Sequence, residues 1–216
     1  SFPEDETDQL RRFLDKVHYP LAVRSSSLLE DASFQPFAGV YRTYMIPNNH
    51  PDLEVRLEEL LSAVRLVYAS TYYQDARSYL DSTPNRLEEE KMAVVIQQLV
   101  GRRFGDYLYP NVAGTARSRD FYPVEGIDPE DGVAVVALGL GNKVMDGGKA
   151  LRFSPAHPQK LYQFANVEDY LQHSQREFSA LALTLPGPDR MATPEGAASN
   201  LVELGLDVAE EHETLH

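Results

Sequence analysis

One short stretch gathers residue types that bind anions. In "PLAVRSSSLLED", residues 20–31, an apolar run of Leu21, Ala22 and Val23 ends at Arg24; Ser25, Ser26 and Ser27 follow, then Glu30 and Asp31. A guanidinium offers N–H donors in a fixed planar fork that matches phosphate oxygens. A strand beneath it holds its backbone still, and the serines add hydroxyls and unshielded amides. The same residues permit a plain ion pair from Arg24 to Glu30 or Asp31. A second stretch, "GLGNKVMDGG" at residues 139–148, is glycine-rich after an apolar run. A short glycine motif is a weak phosphate signal and equally describes an ordinary loop. Gln97 and Gln98 close a β-branched run and also fit cross-strand polar positions. Arg77 fits a helix surface. His18, His50, His157, His173, His212 and His216 show no metal-ligand spacing and read as surface residues.

The elements that must position these groups alternate along the chain. Residues 5–18 form an amphipathic helix with Leu10, Phe13, Leu14 and Val17 on one face. Pro20 ends it, and a strand at Leu21–Val23 follows. Residues 25–39 read as a serine-rich loop and 39–48 as a second strand. The apolar stripe of Leu53, Leu57, Leu60, Leu61, Val64, Val67 and Tyr68 predicts a helix over 51–82 that starts at Pro51 and Asp52. Residues 92–100 read as a buried strand, 102–124 as a hairpin or meander, and 131–148 as a strand feeding the glycines. Residues 167–185 read as one helix, and the tail holds one last helical patch. Interleaved helices and strands predict an α+β (mixed α/β) domain.

The totals set limits. The 216 residues carry a net charge of −13, from 20 basic and 33 acidic side chains, which excludes general nucleic-acid binding. With no cysteine there is no disulfide framework, thiolate nucleophile or zinc–thiolate site. No apolar run approaches the roughly 20 residues of a membrane span, so a soluble, cytoplasmic protein is the expectation. The chain starts at Ser1 rather than Met and enters a helix almost at once, which suits a piece of a longer polypeptide.

Three segments, in order, carry a resemblance. "AVRSSSLLEDASFQPFAG" is similar to A-V-R-S-S-x-x-x-E-D followed by a small lid ending S-F-A-G. "KMAVVIQQLV" is similar to M-A-V-V-V-Q-x-M-V. "GTARSRD" to "VAVVALGLGNKVMDGG" is similar to G-V-x-F-S-x-D and a strand ending G-L-G-E-x-V-V-x-G. "YASTYYQDARSYLD" fits a further family helix loosely. Over roughly residues 20–155 the chain thus resembles the nucleotide-binding domain of the phosphoenolpyruvate synthase and pyruvate phosphate dikinase family.

The resemblance implies an incomplete ATP-grasp-like fold over residues 1–190. Residues 1–88 would be a lid-bearing part and 89–190 a hinge strand with a second sheet; 191–216 would be a linker or the start of a following segment. It implies ATP with Mg²⁺ as cofactors. Arg24 would clamp phosphate with Ser25 and Ser26, under a lid flexing at Gly39. Gln97, Gln98 and Leu99 would present the hinge that reads adenine. Gly141, Asn142 and Lys143 would lie along the nucleotide. In the intact protein, ATP would phosphorylate a histidine on another domain, which would pass the phosphate to pyruvate or a similar acceptor. The partners are then phosphohistidine and pyruvate-binding domains of the same chain, and the fragment alone is expected to be inactive.

The departures bear on mechanism. Asn142 stands where the family has a metal-holding Glu, and Lys143 follows it. Pro36 stands for a lid Ser, Arg117 for an aromatic residue, and Arg152 occupies a position that is acidic or amide in the family. No residue is assigned as a metal ligand. These changes equally suit a degenerate, non-catalytic nucleotide-binding or docking module.

Overall fold

The computed structural model describes residues 2–27, 41–74, 76, 78, 91–145, 147–161, 166–184, 193–198 and 200–215. Along the chain these form α1 (Glu4–Lys16), β1 (Leu21–Ser27), β2 (Tyr44–Ile46), α2 (Leu53–Ala69), β3 (Met92–Gln98), β4 (Arg102–Phe104), β5 (Tyr107–Tyr109), β6 (Ala113–Arg117), β7 (Val133–Ala137), α3 (Asn142–Met145), β8 (Leu151–Ser154), β9 (His157–Leu161), α4 (Val167–His173), β10 (Glu177–Ala182), α5 (Pro194–Ala198), β11 (Leu201–Gly205) and α6 (Leu206–Glu211). The fold class is α+β, as the interleaving predicts. Two compact units divide it: Ser1–Leu99 with Leu181–Leu201, and Val100–Ala180 with Val202–His216.

In the first unit, β2-β1-β3 form an antiparallel sheet. Side chains alternate across a strand. Leu21 and Val23 of β1, with Tyr44 and Ile46 of β2, therefore meet Leu14 of α1 and Leu57, Leu60, Leu61, Val64 and Val67 of α2 in one core. The acidic first turn of α1, Glu4–Glu6, and Lys16 in its last turn suit the helix dipole. The Asp52 side chain accepts the Glu54 N–H at 2.9 Å and starts α2. Buried Arg56 donates through Nη1 to the carbonyls of Leu14 and Val17, at 2.9 and 3.0 Å. Asn48, fully buried with φ 51, donates to Val17 and Tyr19 oxygens at 3.0 Å each. The two side chains thus satisfy carbonyls that the end of α1 leaves open.

In the second unit, β6-β7-β8-β9 form an antiparallel sheet, and β11-β10-β5-β4 form the other. β4 and β5 make the expected hairpin, with Gly105 at φ +55 in its turn.

Four expectations change. The three serines lie inside β1, not in a loop, because β3 pairs along its whole length: Ser25 faces Val94 and Ser27 faces Met92. The helix expected over 167–185 stops at His173, and β10 follows. Phe178–Ala182 are buried throughout, and a segment buried on both faces carries no period by which a strand differs from a helix. Residues 191–216, expected as a linker or the start of a following segment, contain α5, β11 and α6. Ala197 joins the first unit's core, and Asn200 Nδ2 donates to the Met45 oxygen at 2.9 Å. The long helix is interrupted after Ala69 by a 3-10 turn, Ser70–Tyr72, and residues 74, 76 and 78 are helical again. The expected lid, Gly39, Glu30, Asp31, Pro36 and Arg77 lie outside the described residues.

Candidate functional site

The first unit places Arg24 on the exposed face of the β1–β3 pair. The register sets Arg24 opposite Val95 and Ala22 opposite Gln97. Arg24, Ala93, Val95 and Gln97 therefore share the face turned away from the helices, and all four are exposed there. Arg24 Nε donates to the Ser25 carbonyl at 3.3 Å. Ser25 is buried, on the opposite face beside Val94, so its hydroxyl and the guanidinium diverge; Ser26 returns to Arg24's face. A strand brings every second residue to one face, so Arg24 with Ser26 is the pair that this geometry joins.

The hinge residues differ in what they offer. The Leu99 N–H donates to the Pro20 carbonyl at 2.8 Å, so that donor is spent within the ladder. Backbone groups alternate inward and outward along an antiparallel pair. If Leu99 points at β1, then Gln98 presents its N–H and C=O on the outer edge of β3, which is the edge strand of its sheet. The Gln98 side chain is exposed, while Gln97 projects from the Arg24 face.

The second unit holds the glycine segment firmly. Gln175 clamps Leu138 at both backbone groups: Oε1 accepts its N–H and Nε2 donates to its carbonyl, each at 2.9 Å. Gly139 has φ +83, and a Cβ there would lie 2.7 Å from the Ser179 carbonyl oxygen, so only glycine fits. The Leu140 N–H reaches the same oxygen at 2.8 Å. Gly141 is different, since a Cβ would meet only Ala113 at an ordinary 3.7 Å.

Past the glycines, Asn142 Nδ2 donates to Ser179 Oγ at 2.8 Å, and Ser179 Oγ donates to Glu203 Oε1 at 2.5 Å. Lys143 Nζ lies 2.6 Å from Glu203 Oε2. Burial alone would raise the Glu203 pKa, but the Lys143 and Ser179 hydrogen bonds outweigh it and hold this carboxyl below its ordinary value. Among the described residues, buried Asn142 Oδ1 has no hydrogen-bond partner. Sequence reasoning missed Ser179 and Glu203 because both lie far along the chain, in segments read as helix and linker.

Arg152 is committed elsewhere. Its Nη2 pairs with Asp120 Oδ1 at 2.6 Å, and Asp120 is only 2% exposed. The Tyr122 N–H donates to the same oxygen at 3.0 Å. Two histidines read as surface residues have partners. His212 stacks on Phe104 at 5.1 Å, with Nδ1 2.8 Å from Tyr109 Oη, and His157 Nε2 lies 3.3 Å from Asp131.

Magnesium finds a poor donor set beside the glycines. It takes oxygen ligands, usually including carboxylates. Here stand an amide, a hydroxyl and one carboxylate already neutralised by an ammonium. Among the described residues no group of three or more His, Cys, Asp or Glu converges.

An α+β domain with an exposed arginine midway along β1 and, in its other unit, a rigid glycine segment has features suited to an anionic ligand. The chain belongs to the family described as the pyruvate phosphate dikinase AMP/ATP-binding domain, which it matches over residues 1–183. Adenine nucleotide is therefore its ligand class. It is 30% identical over 128 residues, 59% of its length, to a phosphoenolpyruvate synthase of Aeropyrum pernix. It is 29% identical over 150 residues, 68% of its length, to YvkC of Bacillus subtilis, named an uncharacterized phosphotransferase. The chain spans 13% and 16% of the lengths of those two relatives. Among the described residues no helix is long and apolar enough to cross a membrane.

Proposed function

We propose that this chain is the ATP-binding portion, ATP-grasp-like in fold, of a phosphoenolpyruvate synthase-like phosphotransferase. In the whole protein ATP phosphorylates a histidine on another domain, and that domain carries the phosphoryl group to pyruvate or a similar acceptor. The observation that carries this reading is the shared exposed face of Arg24 and Gln97, two of the positions that the family resemblance assigns to nucleotide. Arg24 binds phosphate oxygens through its planar fork and offsets charge that spreads over them during transfer. Ser26 stands beside it as a hydroxyl donor. Of the three hinge residues, Gln98 offers adenine a backbone donor and acceptor from the edge of β3, whereas the Leu99 N–H is spent on Pro20. In the second unit, Gly141, Asn142 and Lys143 are the residues that the resemblance assigns to nucleotide. No step is assigned to Mg²⁺, because the described residues fit it poorly.

Calorimetric titration of ATP tests the reading. A charge-assisted, two-pronged contact contributes about 1.5–3 kcal/mol, so Arg24→Ala is expected to weaken binding by about tenfold or more. Unchanged affinity would remove Arg24 from the site.

A second reading has its own support. Asn142 standing where the family carries a carboxylate, next to a Lys143 paired to Glu203, suits a module that binds nucleotide without turnover. Radiolabelled ATP offered to the whole protein separates the two: an acid-labile phosphohistidine favours the enzyme, and bound but unreacted ATP favours the module.

A further inference from the structure

Asn142, Ser179, Glu203 and Lys143 form a chain of polar contacts: amide to hydroxyl, hydroxyl to carboxylate, carboxylate to ammonium. We propose that Lys143 is a phosphate-binding cation that acts here without a divalent metal. Glu203 is its resident counter-ion, a positioning residue that an incoming phosphate displaces. This rests on the nucleotide-binding reading above.

Four observations carry it. The first is reach. The Lys143 side chain is 25% exposed and that of Glu203 is 45% exposed, so the pair is open to a ligand. The second is mimicry. The Glu203 carboxylate takes one hydrogen bond from a hydroxyl and one from an ammonium, and a phosphate with two free oxygens meets the same two donors. The third is aim. A Cβ on Gly148 would lie 3.3 Å from Lys143 Cδ and 2.9 Å from its carbonyl oxygen, and the Gly148 N–H holds that oxygen at 2.9 Å. The lysine stem thus lies in a slot that glycine leaves, while Glu203 fixes its head. The fourth is charge. A divalent cation drawn to this carboxylate would face an ammonium already 2.6 Å from it, whereas an anion finds that ammonium an attraction.

The sign of the Glu203 effect is diagnostic. If Glu203 only braced the fold, its removal would weaken any binding nearby. As a competitor for Lys143, its removal strengthens phosphate binding. The test is calorimetric titration of inorganic tripolyphosphate into the chain in EDTA, with thermal melts of each variant. Glu203→Gln is expected to bind about threefold to fivefold more tightly than the wild type, the scale of a partly exposed ion pair. Glu203→Asp keeps the charge and stays near the wild type. Adding Lys143→Met to Glu203→Gln abolishes the gain. Equal or weaker binding by a folded Glu203→Gln overturns the proposal, and so does tripolyphosphate binding that appears only with Mg²⁺. ATP titrated in parallel separates the two readings. ATP affinity that depends on Arg24 but not on Lys143 overturns this inference alone. A Lys143-dependent tripolyphosphate response without ATP binding sustains it and overturns the nucleotide reading.

Discussion

Arg24 and Ser25 are neighbours in sequence and opposites in space. A loop would let both reach one phosphate, but a strand cannot. Gly139 shows the same dependence on backbone. At φ +83, with the Ser179 carbonyl 2.7 Å from any added Cβ, Gly139→Ala is expected to cost about 2 kcal/mol or more, read as a lower denaturant midpoint. Glu203 gives a pH signature. Its folded pKa lies below the ordinary 4.5, so its stabilising effect is fully present above that value and lost as pH falls through the folded one. The stability gap between wild type and Glu203→Gln is therefore expected to be widest near neutral pH and to close in acid, as thermal melts across pH would record. An open gap at low pH would remove the Lys143–Glu203 bond as its cause.

At the scale of elements, α1 and α2 are joined by a buried cation as well as by apolar packing. Arg56 occupies a helix position whose neighbours are leucines, and its guanidinium ends on two carbonyls at the close of α1. Arg56→Met is expected to cost about 3 kcal/mol, because those carbonyls lose a charged donor inside the core. A chemical denaturation curve measures this, and a loss under about 1 kcal/mol would mean that water replaces the guanidinium. Glu59, also on α2, runs the other way. Burial raises its pKa, against the pull of His50 and Arg56, so its charged form weakens the fold above the ordinary carboxylate range. Glu59→Gln is expected to raise the melting temperature at neutral pH and to have little effect in acid. The amphipathic helices were legible because one face of each is wet and the other dry. β10 was not, because Phe178–Ala182 are dry on both faces.

The whole molecule depends on chain that returns from far away. Ala197 and Asn200 complete the first unit, and Asn49 Nδ2 reaches the Leu183 carbonyl at 2.7 Å. A chain ending at residue 192 is expected to lose cooperative unfolding of that unit, monitored by circular dichroism. An unchanged melt would make α5 an ornament of the fold. The −13 net charge acts on everything at once: self-repulsion weakens the compact state, so added salt is expected to raise the melting temperature. What the sequence by itself determined was local: the helix faces, the strand leading to Arg24, the glycine that ends β7, and the order of motifs that marks the family. These follow from side-chain period and backbone permission, which neighbours in sequence set. What only the tertiary structure decided was which groups meet. It set Arg24 and Gln97 on one face and Ser25 on the other. It also brought Glu203, 60 positions beyond Lys143 in the numbering, to that lysine's ammonium, because strand pairing joins residues by register and not by distance along the chain.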